Sequence, residues 1–230
     1  MSPSRVPTDS TESTEPWAER AADRSPTVQR SRSRSIHQAQ VIVRAARHLV
    51  AEKGGRFTTQ ELVKEAGVAL QTFYRHFGGK DQLLIAVLED MIAEAAVQYQ
   101  ERARDLPDPV ARLRSYIKDT LASLGGPEGG APAGFVVSEH WRLHQIFPDE
   151  ITHAMKPWAD LVLGEIRAAA AAGLLHPKDP EEDAWLVTRL VTAVYHHHAF
   201  ASSDRSPEEI GEHVWEFCLA ALGGSTAGSA

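Results

Sequence analysis

The sequence predicts an all-α fold of about nine helices, because apolar residues recur at helical spacing and capping residues separate the helical segments. Ala39, Ile42, Ala46 and Leu49, for example, fall on one helical face. No segment alternates apolar and polar residues with the period of a strand. The chain has 230 residues, of which 43% are hydrophobic, so it is long enough to bury an ordinary core.

The N-terminal part begins with a segment that has too few large apolar residues to form a core. Residues 1–33 are rich in Ser, Thr, Pro and Arg and poor in large apolar groups, so we expect a disordered arm. Ser35 and Gln38 have the spacing of a capping box that opens a first helix. Gly54 and Gly55 are expected to end that helix.

Three further helices follow within a short distance. Thr58 and Glu61 form a second capping-box pattern, and the helix that they open stops near Gly67. A third short helix is expected from Val68 to His76. A long fourth helix starts at Lys80, with a stripe of apolar residues along one face.

The middle of the chain contains one long glycine-rich segment. Asp108 and Pro109 cap and start a fifth helix. Residues 125–134 hold five glycines and two prolines and predict a loop. A short helix is expected from Phe135 to Gln145, and a longer one from Asp149 to Gly173.

Two more helices complete the predicted fold. Asp179-Pro180 opens a helix that we expect to run to Ser202, and Ser206-Pro207 opens the last one. Residues 223–230 are small and polar and predict a flexible tail.

The charge of the chain is distributed unevenly. The net charge is −7, yet residues 30–80 hold ten Lys and Arg against three Asp and Glu. This part therefore carries +7 and the rest of the chain −14. Such asymmetry indicates a basic module, with phosphate as its natural partner, joined to an acidic body. Charged faces are also ordinary solvated surfaces of helices, so charge alone leaves both interpretations open.

Several classes of protein are disfavoured by what the sequence lacks. A single cysteine, Cys218, can form neither an intrachain disulfide nor a thiolate zinc site. The longest apolar run, Ala168–Leu175, is too short to cross a bilayer, and the first 35 residues lack the apolar core of a signal peptide. No nucleophile elbow, zinc-protease, P-loop or dinucleotide motif is present. We therefore expect a cytoplasmic protein with no membrane partner, no cofactor and no enzymatic activity.

Residues Thr58 to His76 have the pattern of a helix-turn-helix, in which the second helix enters the major groove of DNA. Gly67 supplies the left-handed turn residue between the two helices. Phe73, and Phe77 just after the second helix, are expected to be core residues. Ala69 lacks a side-chain acceptor where a helix usually begins with one.

Three segments resemble the DNA-binding domain of the TetR family of bacterial repressors: Thr59–Val68, Thr72–Phe77 and Lys80–Leu84. The combination of a tyrosine, an arginine-aromatic-Phe ending and a lysine opening the next helix makes the resemblance specific. It covers residues 34–94 as the DNA-binding domain. It implies that residues 95–222 form a ligand-binding and dimerisation domain.

The resemblance also implies which residues contact DNA. Carried over by position, the expected phosphate contacts are Thr58, Thr59, Tyr74, His76 and Lys80. The positions expected to read base edges are Leu70, Gln71, Thr72 and Arg75. Glutamine pairs well with adenine, and Arg75 reaches either a guanine or a phosphate. Arg32 and Arg34, together with Arg30, form either an arm that enters the minor groove or an incidental polar tail.

The C-terminal domain is expected to pair with a second copy of the chain and to enclose a ligand. The last two helices carry apolar residues on two sides, and the candidates for a homodimer interface are Leu186, Leu190, Ala193, Val214, Trp215, Cys218 and Leu222. The candidates for the wall of a pocket for a small, largely apolar molecule are Met91, Tyr99, Tyr116, Ile117, Thr120, Trp141, His144, Phe147, Met155, Trp158, Val162, Val191 and Tyr195. Any one of these residues can instead be plain core.

The eleven histidines raise the alternative of a metal sensor. His140 and His144 are one helical turn apart, but consecutive histidines at 196–198 point in different directions and no cysteine or carboxylate set completes a site. We therefore expect no metal. The resemblance implies a repressor that binds a palindromic double-stranded DNA operator as a homodimer and is released by a small-molecule effector. It would be nucleoid-associated when bound to DNA. A nonspecific nucleoid-type DNA binder remains the second interpretation.

Overall fold

A computed structural model describes residues 24–124, 131–201 and 204–224, and these residues form ten α-helices without a strand. The all-α prediction is confirmed, with ten helices instead of about nine. No helix among the described residues is long and apolar enough to span a bilayer. A 3₁₀ turn, Gly54–Arg56, follows the first helix. The helices are α1 (Pro26–Lys53), α2 (Thr59–Ala66), α3 (Leu70–His76), α4 (Lys80–Ala103), α5 (Pro109–Ala122), α6 (Ala131–His144), α7 (Pro148–Ala154), α8 (Lys156–Ala171), α9 (Pro180–His198) and α10 (Pro207–Ala221).

Several helix starts lie where their capping residues predicted. The Thr58 hydroxyl accepts a hydrogen bond from the Glu61 N–H at 3.2 Å, and the Glu61 carboxylate accepts one from the Thr58 N–H at 2.7 Å. Ser206 forms the same reciprocal box at the start of α10. Asp108 and Asp179 cap α5 and α9 through their carboxylates. These contacts satisfy N–H groups that the first helical turn leaves without partners.

The prediction for the N-terminal arm is wrong where the structure describes it. Helix α1 begins at Pro26, so Ser35 lies inside the helix and does not cap it. Residues 1–23 of the arm lie outside the described residues. Extending an existing helix costs far less than nucleating one, so a polar segment continues a helix that packing has nucleated further along the chain. Contacts within the chain divide it between Val41 and Ile42, inside α1.

Two predicted boundaries in the middle of the chain also need correction. The predicted loop 125–134 already belongs to α6 from Ala131 onward, and residues 125–130 lie outside the described residues. The helix predicted from Asp149 to Gly173 is two helices, α7 and α8, separated at Met155. Pro157 explains the break, because it has no N–H for the carbonyl four residues earlier and its ring clashes with that carbonyl.

Three further boundaries differ from the prediction. Helix α3 begins at Leu70 and not at Val68, and α9 ends at His198, before Ser202. The predicted tail is wrong at its first two residues, since Gly223 and Gly224 donate N–H bonds to the carbonyls of Ala220 and Leu219. Residues 225–230 lie outside the described residues.

Helix α5 is the centre of the C-terminal core. It packs against α4, α8, α9 and α10. Its residues Leu113, Ile117 and Leu121 are fully buried, and Val162 and Val191 meet them from α8 and α9. Helices α4, α5 and α9 also contribute residues to the cavity described below.

Candidate nucleic-acid interface and ligand cavity

Helices α2 and α3 form a helix-turn-helix with a glycine at its turn. Gly67 has a φ of +63°, and its N–H donates to the carbonyl of Lys64 at 3.3 Å. The Val68 N–H donates to the carbonyl of Val63 at 3.1 Å, which closes the turn. Leu62 and Phe73 are completely buried beneath the two helices. The turn geometry expected from the sequence is present.

Helix α3 presents a row of exposed side chains. Leu70, Gln71, Tyr74 and Arg75 are exposed, and we call these four residues the reading face. Tyr74, for example, has 53% of its surface exposed. Thr72 and His76, two more predicted DNA contacts, are half-buried. Phe73 and Phe77 are buried as predicted, so their packing fixes the direction in which the reading face points.

Lys80 and Thr58, two of the predicted phosphate contacts, form hydrogen bonds to other residues of the chain. The Lys80 ammonium donates to the carbonyls of Gly55 at 2.6 Å and Phe57 at 2.5 Å, and it lies 4.5 Å from the centre of the Phe57 ring. Burial lowers the pKa of Lys80. The Thr58 hydroxyl is held by the Glu61 carboxylate at 2.9 Å. Thr59 is half-buried at the start of α2.

Arg32 and Arg34 lie on the exposed N-terminal part of α1. This part belongs to the unit that ends at Val41. The helical backbone of these residues differs from the disordered arm expected from the sequence. Their role in DNA binding stays a prediction.

A cavity of about 600 Å³ lies in the C-terminal unit. Residues from α4, α5, α6, α8 and α9 line it, together with Met155 between α7 and α8. The predicted pocket residues that line it are Met91, Tyr99, Thr120, Met155, Trp158, Val191 and Tyr195. Met91, Met155, Trp158 and Val191 give the cavity an apolar wall, and Tyr99, Thr120 and Tyr195 add hydroxyl groups to it.

The other predicted pocket residues lie elsewhere. Tyr116, Ile117 and Val162 are buried in the core around α5. Trp141 is 63% exposed on α6, and Phe147 is half-buried and does not line the cavity. His144 borders a smaller cavity of about 180 Å³.

Sequence reasoning missed most of the polar residues of the larger cavity. Gln98, Arg102, Asp119, Ser123, Thr192, His140 and His196 all line it. Burial raises the pKa of Tyr99, whereas hydrogen bonding with Thr120 and Ser123 lowers it, so these hydroxyls cluster at one part of the wall. Small polar residues on otherwise apolar helical faces, such as Ser123 and Thr192, are the signal that would have found this wall.

Three imidazoles gather beside the cavity. The ring centres of His140 and His196 are 4.9 Å apart, and those of His140 and His144 are 6.0 Å apart. The Nδ1 atoms of His140 and His144 are buried without a hydrogen-bond partner. Burial, and then the neighbouring His196, His144 and Arg189, lower the pKa of His140 to about 4. Within the described ranges, no group of three or more His, Cys, Asp or Glu could hold a metal ion.

The predicted dimer interface is corrected in part. Val214, Trp215, Cys218 and Leu222 are buried in the core of the single chain, so they have little surface left for a partner. Helix α10 packs this apolar side on α5, which the amphipathic pattern alone did not reveal. Burial also raises the pKa of the Cys218 thiol to about 11.

Other apolar residues of the last two helices are exposed. On α9, Leu186 is 52% exposed, Ala193 is exposed and Leu190 is half-buried, and their place in a dimer interface stays a prediction. On α10, Phe217 is 63% exposed and Ala220 is exposed. We call Leu186, Leu190, Ala193, Phe217 and Ala220 the outer stripe.

Helix α6 connects the cavity with the helix-turn-helix. His140 on α6 lines the cavity, while Arg142 donates to Asp81 at the start of α4 at 2.7 Å. Arg142 also donates to Glu139 at 2.8 Å. Glu139 packs so closely on Gly55 that a Cβ on that glycine would lie 2.7 Å from its Oε1. One helix therefore contacts both sites.

Known proteins resemble the chain over this N-terminal region and in overall fold. Residues 42–87 match the family model of bacterial regulatory proteins, tetR family. The HTH-type transcriptional regulator EthR of Mycolicibacterium smegmatis is 28% identical over 98 residues, which are 42% of this chain and 45% of that protein. The chain thus spans less than half the length of that curated relative in the match.

Two solved structures extend the likeness to most of the chain. A regulatory protein of the tetR family from Rhodococcus RHA1 is 25% identical, with a TM-score of 0.56 over 82% of this chain and 98% of that one. RolR in complex with resorcinol is 18% identical, with a TM-score of 0.65 over 85% of this chain and 92% of that one, and shows the fold alone. Residues 42–87 are thus similar to the tetR family of bacterial regulatory proteins, and the fold of the chain is similar to that of a structure from that family.

Proposed function

We propose that the chain is a ligand-responsive transcriptional repressor that binds a palindromic DNA operator as a homodimer and is released by a small, largely apolar molecule. The observation that carries the proposal is the reading face, where four exposed side chains stand on a helix anchored by Phe73. Glutamine and arginine are the side chains best suited to adenine and guanine edges. The positive charge of residues 30–80 suits the phosphate backbone around them.

Selection from random double-stranded DNA tests the reading function. A regulator is expected to prefer its selected site over random DNA by about 10³-fold or more, whereas a nucleoid-type binder shows no such preference. Gln71→Ala and Arg75→Ala should change the selected sequence as well as the affinity. Gln100→Ala, an exposed glutamine on α4, is the matched control and should change neither. An unchanged selected sequence in both reading-face variants would contradict the assignment.

The outer stripe supports the homodimer. A helix-turn-helix reads too few base pairs alone, so two copies on successive major grooves, about one turn apart, are the usual solution. Exposed apolar residues along α9 and α10 supply a surface that a second copy can cover. Phe217→Glu should produce a monomer in sedimentation velocity at micromolar concentration. Trp141→Glu, equally exposed on α6, is the control and should remain a dimer.

The contacts of α6 support release of DNA by a ligand. A molecule that moves His140 also moves Arg142 and Glu139, and with them the start of α4 and the turn before α2. Antagonism between two sites of this kind is typically worth ~1–3 kcal/mol. RolR, which is similar in fold, is in complex with resorcinol, and we carry over only that a protein of this fold binds a small molecule.

The coupling has its own test. Arg142→Ala removes the bond to Asp81 without changing the cavity wall. The variant should still bind the ligand, but the ligand should weaken DNA binding less than it does in the unmodified chain. Arg104→Ala, whose ion pair with Glu101 is exposed, is the control. An equal ligand effect in all three proteins would refute the route through Arg142.

A further inference from the structure

The histidines beside the cavity are an unusual set, because they lack acidic partners. His140 is 93% buried, borders both cavities and has an Nδ1 atom with no hydrogen-bond partner. The charged or titratable groups that influence it are His144, His196 and Arg189, all of which are neutral or basic. Burying a polar atom without a hydrogen bond lowers the stability of a protein, so most buried polar atoms have a hydrogen-bond partner.

Four carboxylates border the two cavities, and three of them are paired with a basic side chain. The fourth, Asp119, lies near Tyr99 and is not among the charged groups that influence His140. Asp160 and Glu181 border the smaller cavity, but they pair with Lys156 and Arg167. Glu94 lines the larger cavity and pairs with Arg47. None of these carboxylates is a hydrogen-bond partner of His140 Nδ1. The imidazole pair His140–His196 lines the larger cavity and forms a polar point of its wall without an acidic partner.

From this set we infer that the cavity takes a weak acid: an apolar molecule that ends in a carboxylic acid or a phenolic hydroxyl, bound at the His140–His196 pair. The inference rests on the proposed ligand cavity and specifies its ligand. The acid O–H donates to an imidazole nitrogen, or transfers its proton to it and leaves a carboxylate or phenolate facing an imidazolium. Both forms hold the same proton and have no net charge, so the buried pair remains neutral as a whole.

Other ligand classes fit the wall less well. A cationic amine bound at the His140–His196 pair would meet imidazoles and the Arg189 guanidinium, and none of the charged groups that influence His140 is acidic. A purely apolar molecule would cover the imidazoles that line the cavity without forming a hydrogen bond to them. Met91, Trp158 and Val191 provide the apolar surface that the remainder of a weak acid needs.

Calorimetry with a matched set of probes tests the inference on the full chain. Decanoic acid, methyl decanoate and decylamine share one apolar body and differ in the head group. We expect decanoic acid to bind at least tenfold more tightly than the ester, and the amine to bind no more tightly than the ester. Because decanoate is ionised at pH 7, its binding should take up close to one proton, measured in buffers of different ionisation enthalpy.

Variants locate the effect. His140→Leu and His196→Leu should each reduce the preference for the acid over the ester to less than threefold and abolish proton uptake, while the affinity for the ester persists as evidence of folding. His144→Leu, one turn away and outside the wall of the larger cavity, should retain both properties. Equal binding of acid and ester, or acid binding without proton uptake, would overturn the inference.

Failure of this inference is distinguishable from failure of the proposed function. If neither decanoic acid nor a 4-alkylphenol of the same length binds, the weak-acid ligand is rejected. DNA selection uses the chain without ligand, so its result stands independently of the calorimetry.

Discussion

Replacing Lys80 by methionine separates two roles of this lysine. The resemblance to TetR regulators predicts a phosphate contact, whereas the structure has the ammonium donating to the carbonyls of Gly55 and Phe57. Methionine retains the length of the apolar stem and removes the charge, so the two carbonyls lose their donor. Lys64, exposed on α2, is the matched control for the same substitution.

The expected loss of stability follows from these bonds. Hydrogen bonds to a charged group contribute about 1.5–3 kcal/mol each when a partner is removed. Lys80 is half-buried, so water compensates part of this loss, and we expect Lys80→Met to lower the free energy of unfolding by roughly 2–3 kcal/mol. Lys64→Met should stay within about 0.5 kcal/mol of the unmodified chain.

Two measurements decide between the roles. Urea denaturation should give a lower midpoint for Lys80→Met with an unchanged slope m. If the ammonium stays on its carbonyls when DNA binds, the dependence of log K on log salt should be the same in both variants and in the unmodified chain. If Lys80→Met is as stable as Lys64→Met, the hydrogen bonds of Lys80 to the two carbonyls do not stabilise the fold. A salt slope smaller by about one per half-site, with that stability, would establish the phosphate contact instead.

Three further predictions concern local structure and pH. Ala69→Thr should be about 1 kcal/mol more stable to urea than Ala69→Val of the same shape, because only threonine caps α3; equal midpoints would contradict the capping argument. Gly67→Ala should lower the free energy of unfolding by about 1 kcal/mol because Gly67 has a positive φ, whereas Gly164→Ala inside α8 should raise it by a similar amount. Both sites have free space for a Cβ, so the difference comes from the backbone conformation. Changes of the same sign in the two variants would contradict this explanation. His140 has a lowered pKa in the folded chain, so the unfolded chain binds its proton first and the stability from this residue, present above pH 6.5, is lost as the pH falls towards 4. The loss is at most roughly 3 kcal/mol, and His140→Leu should show a smaller decrease in stability between pH 7 and 4, measured by urea denaturation; parallel decreases would contradict it.

Much of the fold follows from hydrogen bonds that span four residues or fewer. Thr58 with Glu61, and Ser206 with Glu209, place helix starts correctly because both partners of each cap are close in sequence. Gly67 is predictable for the same reason, since its left-handed backbone belongs to the turn itself. Where a boundary depends on what lies beyond the local segment, as at the start of α1, the sequence pattern failed.

The cavity and the surface for a partner depend on tertiary structure. The amphipathic pattern of α10 marks Trp215 and Phe217 alike as apolar, but only packing on α5 decides that Trp215 is buried and Phe217 exposed. Tyr99 and Tyr116 are equally plausible pocket residues in sequence, but only Tyr99 lines the cavity, whereas Tyr116 is buried in the core.

The sequence by itself determined the all-α class and the helix-turn-helix, because local capping, helical periodicity and a compact motif carry that information. Only the tertiary structure places His140 beside His196, which is 56 residues away in sequence, and pairs Arg142 with Asp81. Such contacts arise from the packing of whole helices, whose relative positions depend on the sum of many weak apolar contacts and not on any local pattern.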